Sequence, residues 1–168
     1  MKRSRARAIR HFTASAVTVL AAAACETTDC PLNNVVRCNY GFYAVTDEGE
    51  TAVTLPDTLT ITAAGTDSVL LNRAVNARET DLPVSYTAAE DTLVFHLTDT
   101  AGRTRRDTIW MKKENLPHYE APDCPASMFH LVTGVRCTHR FIDSVVIANP
   151  NINYDPSEHF KIYFRSRD

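Results

Sequence analysis

The chain has 168 residues, 44% of them hydrophobic and 23% charged, with 18 Lys and Arg against 20 Asp and Glu. That length suits one domain with a core of its own. Five of the basic residues crowd into the first ten positions, which hold no acid, so the chain beyond residue 24 carries a formal charge of −7, and such a chain argues against nucleic acid as the partner.

Lys2, Arg3, Arg5, Arg7 and Arg10 form a basic head, followed by an uncharged run from Phe12 to Ala24. A positive head, a short apolar stretch and small residues before a cut are the parts of a secretory signal peptide, and the run is too short to span a bilayer as a helix. A transit peptide would spread its arginines along an amphipathic helix, whereas here every charge precedes Phe12. Residues 1–24 are therefore expected to be removed, leaving Cys25 as the first residue of the mature chain. Ala22-Ala23-Ala24-Cys25 resembles the lipobox of bacterial lipoproteins, whose cysteine thiol is acylated and whose chain is cut just before it. Ala22 stands where that family usually has Leu, and Ala22-x-Ala24 also fits an ordinary signal peptidase site. Parity favours the lipid. An odd cysteine in an exported chain calls for explanation, and acylating Cys25 leaves four, Cys30, Cys38, Cys124 and Cys137, enough for two disulfides.

Residues 25–34 read as a tether and 35–168 as a single β-sandwich domain. Apolar residues alternate with period two at Leu59, Ile61 and Ala63, at Leu82, Val84 and Tyr86, at Leu93, Phe95 and Leu97, and at Phe160, Ile162 and Phe164. A half-buried strand needs this alternation, because successive side chains point to opposite faces. Ile109-Trp110-Met111 and Val145-Val146-Ile147 are β-branched or aromatic, as strands are. Turn residues separate the runs at Asp47-Glu48-Gly49, Leu55-Pro56-Asp57, Gly65-Thr66-Asp67, Ala101-Gly102 and Asn149-Pro150-Asn151. No helical period is sustained. The expectation is an all-β, antiparallel sandwich of roughly seven to nine strands, immunoglobulin-like in architecture with its topology open.

Asp29-Cys30-Pro31 and Val36-Arg37-Cys38 are echoed by Asp123-Cys124-Pro125 and Val135-Arg136-Cys137. If like segments lie side by side, the bridges are Cys30–Cys124 and Cys38–Cys137; a local Cys30–Cys38 bridge is the rival.

Four sets of residues raise the question of chemistry. Cys124, His130, Cys137 and His139 have zinc-ligand side chains but no compact zinc spacing, and an exported chain more often oxidises such cysteines. Asn149, Asn151, Asn153 and Asp155 alternate oxygen side chains as a calcium loop does, but Tyr154 and Phe160 stand where that loop needs Gly and Glu, so an Asn/Pro turn is the better reading. Asp123, Ser127 and His130 are close in sequence, which says little about a triad, and there is no G-x-S-x-G or H-E-x-x-H. Tyr40, Phe42 and Tyr43 suit core packing better than a glycan platform, since adjacent strand positions split between faces. His96, between Val94 and Leu97, reads as a structural or surface histidine. No catalytic residue, metal or cofactor is expected.

Several segments together resemble a known family: Cys30-Pro31-Leu32-Asn33-Asn34, Leu82-Pro83-Val84-Ser85-Tyr86, Phe129-His130 after Cys124, Ile142 to Ile147, and Asn153-Tyr154-Asp155 before Ile162-Tyr163-Phe164. They are similar to a family of small uncharacterised lipoproteins of gut Bacteroidota, catalogued as a domain of unknown function. The resemblance implies a Gram-negative envelope lipoprotein and no particular activity. Asp followed by Ser or Thr and an apolar residue, at Thr58, Ser68, Thr92, Thr100, Thr108 and Ser144, resembles the O-glycosylation acceptor pattern of such envelope proteins, although a turn leading into a strand yields the same triplet.

The expected function is that of a non-catalytic outer-membrane lipoprotein, periplasmic or surface-facing. It would be held to the membrane by its lipid and would bind or scaffold an unknown envelope protein or glycan. A glycan- or small-ligand-binding module is the alternative, and an enzyme of unrecognised type ranks below it.

Overall fold

The computed structural model describes Cys30, residues 35–66 and residues 68–165. Residues 1–24, Cys25 and the tether apart from Cys30 lie outside the described residues. The chain divides into two compact units, a small one of residues 1–31 and 120–125 and a large one of residues 32–119 and 126–168. In the small unit a disulfide joins Cys30 to Cys124, with Cα atoms 5.4 Å apart, and the Cys124 amide donates to the Ala121 carbonyl.

The large unit is an all-β sandwich. Its strands are β1 (Arg37–Thr46), β2 (Gly49–Ala52), β3 (Thr58–Ala63), β4 (Val69–Ala74), β5 (Glu79–Pro83), β6 (Glu90–Thr98), β7 (Thr104–His118), β8 (Ser127–Cys137), β9 (Ile142–Ile147), β10 (Asn151–Ile152) and β11 (Phe160–Phe164). One sheet runs β2-β1-β11-β9, with β5 sharing the β2 edge of β1; the other runs β10-β8-β7-β6-β3-β4. The eleven strands among the described residues exceed the expected count because β2 and β10 are short and β4 is a half-exposed edge strand. Among the pairings of described residues β1 with β11 is parallel, Tyr40 opposite Phe160, and the others are antiparallel. No helix among the described residues is long and apolar enough to cross a membrane.

The period-two runs bury what alternation selects: Leu59 and Ile61 of β3, Leu93, Phe95 and Leu97 of β6, and Phe160, Ile162 and Phe164 of β11. In the sheet of β11, its neighbour β1 contributes Cys38, Tyr40 and Phe42, with Tyr40 stacked on Phe160 at 5.2 Å and Phe42 edge-on to Phe164 at 5.4 Å. Each fully buried large side chain contributes about 1.5–3 kcal/mol of transfer free energy, which makes this two-sheet core the main stabilising element. The run at Leu82–Tyr86 departs from expectation, for β5 ends at Pro83. Beyond it the Asp91 carboxylate takes the Ser85 amide at 3.0 Å and Ser85 Oγ takes the Ala88 amide at 3.1 Å, and this turn chemistry outcompetes strand pairing.

Candidate functional site

One end of the sandwich opens into a cleft of about 600 Å³. Both sheets build it. Leu97 at the end of β6 and Leu55 before β3 come from one side, Phe164 at the end of β11 and Phe141 before β9 from the other, and these four form an apolar floor. Four guanidinium groups, Arg103, Arg105, Arg140 and Arg165, stand around it with two carboxylates, Asp57 and Asp99.

Each wall is fixed by local chemistry. The β6–β7 turn is held by Asp99, whose Oδ1 accepts the Ala101 and Arg103 amides at 2.9 Å while Oδ2 accepts Arg103 Nε at 2.9 Å. The backbone amide of Arg103 lowers this carboxyl most; burial opposes it, and the Arg103 guanidinium and the Ala101 amide add to the lowering, which holds it below the usual range. Gly102 supplies the positive φ of 79° that the turn requires. Arg105 reaches Asp57, a buried carboxylate, at 3.7 Å and lies over the Phe141 ring, its Cζ 5.6 Å from the centroid. Arg165 faces Asp143 at 3.7 Å, and its amide bonds the Phe141 carbonyl at 3.0 Å. Arg140 makes no ion pair among the described residues.

The β8–β9 loop that carries Arg140 and Phe141 is gathered onto Asp107 of β7, which is 1% exposed. The Asp107 carboxylate accepts the Thr138 hydroxyl at 2.5 Å and the amides of Arg140 at 3.0 Å, Phe141 at 2.7 Å and Ile142 at 2.8 Å. Burial pushes this carboxyl up, but the amides and the hydroxyl outweigh burial, so it is shifted down overall and holds its charge. Phe141 then stacks parallel to Phe164, with centroids 6.1 Å apart. The arrangement presents four guanidinium donors, three of them facing carboxylates, around an apolar base, which suits holding an anion.

A second titratable cluster lies inside the sandwich. Lys113, 3% exposed, follows an irregularity in the β7–β8 ladder and donates from Nζ to the Ser85 and Ala88 carbonyls and to Asn115 Oδ1, at 2.6–2.7 Å. Asn115 Nδ2 donates to the Ala88 carbonyl, which fixes Oδ1 as the acceptor, so Nδ1 of buried His130 must be the donor in their 2.8 Å bond. Burial, then the Lys113 charge, push the His130 pKa down to about 4.

On the outer face of the β1–β11 pair, Tyr43 and Tyr163 lie side by side at 5.9 Å. Lys161 Nζ sits 4.9 Å from the Tyr43 centroid and bonds Glu50, which also accepts the Tyr163 hydroxyl. The Tyr43 hydroxyl donates to Glu158 at 3.0 Å.

The structure separates most residues that the sequence grouped. Cys38 and Cys137 are free thiols, so the expected Cys38–Cys137 bridge is not formed. Cys38 is buried on β1 beside the Tyr40 hydroxyl, and Cys137 ends β8 in the opposite sheet, 3.8 Å from His139 Nδ1. The rival Cys30–Cys38 bridge is also absent, since Cys30 pairs with Cys124. Of the four zinc-type residues, Cys124 is thus oxidised and His130 faces Asn115, and no group of three or more His, Cys, Asp and Glu that could hold a metal occurs among the described residues. Asn149, Asn153 and Asp155 each cap the amide two residues on, the oxygen pattern of successive Asx turns. Ser127 bonds the Tyr154 hydroxyl, apart from the His130–Asn115 pair. Tyr40 and Phe42 face the core and Tyr43 the outside. His96 bonds Thr62 and accepts from Arg106 Nε at 3.2 Å, and burial, then Arg106, lower its pKa. Among the acceptor triplets, Ser68 and Thr100 are exposed, whereas Thr58, Thr92, Thr108 and Ser144 are half-buried within strands. The preceding acids Asp91, Asp99 and Asp107 have turn- or loop-holding roles of their own.

The profile of a family of unknown function, DUF6452, matches residues 58–164. The chain belongs to this family. The DUF6452 match begins with the first residue of β3 and ends with the last of β11. It therefore takes in Arg103, Arg105, Arg140 and Phe141 but leaves out β1, the strand that pairs with β11. Comparison with curated proteins and with solved structures gives no match.

Proposed function

We propose that this DUF6452 protein is a non-catalytic lipoprotein of a Gram-negative cell envelope, of the kind the Bacteroidota resemblance implies. It binds an envelope component in the arginine-rimmed cleft. The cleft carries the reading: four guanidinium groups gathered over an apolar floor, with the loop beneath two of its lining residues pinned by Asp107. The leader-like head and the small residues before Cys25 support the address. Cys25 is acylated, residues 1–24 are removed, and more than one acyl chain holds the protein stably at the outer membrane. Ser68 and Thr100, exposed outside the strands, are the sites at which the surface carries O-linked glycan.

Two measurements test this. Intact mass of protein from its native host reads out the acyl and glycan additions; a soluble mature chain with a free Cys25 thiol overturns the anchor. Co-purification from envelope membranes, compared between the native chain and an Arg103→Gln, Arg140→Gln double variant, tests the cleft. The bound component is lost from the variant if the cleft holds it, and an unchanged set of co-purifying components overturns the assignment. The paired tyrosines on the outer sheet face favour glycan binding as a second reading. It predicts loss of glycan retention in Tyr43→Ala with the cleft intact.

A further inference from the structure

We infer that the cleft takes an amphiphilic anion, a carboxylate or phosphate head among the arginines with an aliphatic chain against the accessible apolar lining of Ala44, Val53 and Pro56. This rests on the cleft being the binding site. The volume, about 600 Å³, falls in the range of small-molecule sites, roughly 300–1,000 Å³. Its lining holds four arginines against two acids, an excess of positive charge in a chain that is acidic beyond its head. Those two acids are committed: Asp99 holds its own turn and Arg103, and Asp57 faces Arg105. Arg140 makes no ion pair among the described residues, and the same cleft exposes Val53 and Pro56, so one site offers both charge and apolar surface. A guanidinium fork matches the paired oxygens of a carboxylate or phosphate. A bare inorganic anion leaves the accessible apolar lining, Ala44, Val53 and Pro56, uncovered, and a neutral lipid leaves the rim without counter-charge. An anion with an alkyl chain satisfies both surfaces at once.

The test is an amide NMR titration of the purified protein with five probes: octanoate, octyl phosphate, acetate, inorganic phosphate and 1-octanol. Octanoate or octyl phosphate, whichever head is preferred, shifts the resonances of Leu97, Arg140, Phe141 and Phe164 saturably, at least about tenfold more tightly than the other three probes. Arg140→Gln weakens that binding about tenfold with the thermal midpoint unchanged, and added salt weakens it further. Equal binding of acetate, inorganic phosphate or octanol overturns the proposal, as does an unaltered affinity in Arg140→Gln. An acidic polysaccharide such as polygalacturonate that moves these resonances where octanoate and octyl phosphate do not overturns the ligand class and leaves the cleft as the binding site. Silence with every probe, together with unchanged co-purification in the arginine double variant, removes both.

Discussion

The carboxylate of Asp107 accepts the backbone amide of Phe141 at 2.7 Å across a gap of 34 positions. Through that bond and its neighbours, one buried acid on β7 sets the loop that supplies an arginine and an aromatic ring to the cleft.

Asp107→Asn turns an acceptor into a group whose NH₂ faces the loop amides. The expected loss is on the order of 2–4 kcal/mol, read as a fall in urea midpoint, with weaker binding in the cleft. Because the native carboxyl is shifted down, its stabilisation is full above the unfolded value of roughly 3.9 and is lost as pH falls below it. The variant should lack that acid-limb dependence.

His130 works at a higher pH. Its native pKa of about 4 lies below the unfolded value of roughly 6.5, so the unfolded chain binds the extra proton between these limits. Stability is full above pH 6.5 and falls as pH drops toward 4, by on the order of 3 kcal/mol. Denaturation of His130→Leu across this range should show a flatter profile, and an unchanged slope would assign the effect elsewhere. Lys113→Met should raise the His130 pKa by removing the neighbouring charge, visible in an imidazole NMR titration, while costing stability through two carbonyls left without their ammonium donor.

The thiols should differ from the bridged pair. Burial, the largest influence, pushes the Cys38 pKa up to about 12, and burial, then Asp107 and Asp143, also raise that of Cys137. Native protein should therefore react slowly with thiol reagents at Cys137 and not detectably at Cys38. Unreduced peptide maps should join Cys30 to Cys124. Cys124→Ser should lower the thermal midpoint, since closing a loop with a sequence separation of 94 is worth about 4–5 kcal/mol in the chain-entropy model.

Gly41 marks a close approach. A Cβ there would fall 1.7 Å from Glu158 Oε2 and 2.7 Å from Tyr43 Cε2. Gly41→Ala should displace the Glu158 carboxylate and cost on the order of 1–2 kcal/mol. The double variant with Glu158→Ala should recover part of that, and strict additivity in this cycle would contradict the contact.

The sandwich was legible where one face of a strand is wholly apolar, as in β3, β6 and β11. It was obscured in β8, whose inward positions include His130 and whose register slips opposite Lys112 and Lys113. In β4 an exposed edge relaxes the pattern. The cleft left almost no trace in the sequence. Arg103 and Arg105 lie on one strand entrance, but Arg140 and Arg165 arrive from distant loops, and only the topology brings the four together. Asp107 looked like an ordinary Asp-Thr pair, because nothing local reveals that a carboxylate will be buried against amides more than thirty positions away.

The parallel pairing of β1 with β11 makes one edge of β1 wait for a strand that lies 120 positions further on. The Asn39 amide bonds His159 Nδ1, 120 positions further on, in the register that brings Tyr40 onto Phe160. β1 thus keeps the edge that takes β11 unpaired until β11 is delivered, and contacts so distant in sequence close slowly. Along a route that moves the polypeptide end to end, the interval before that delivery is a window for edge-to-edge association, and a holding chaperone would serve the chain there. A chain cut short before residue 160 would keep that window open permanently.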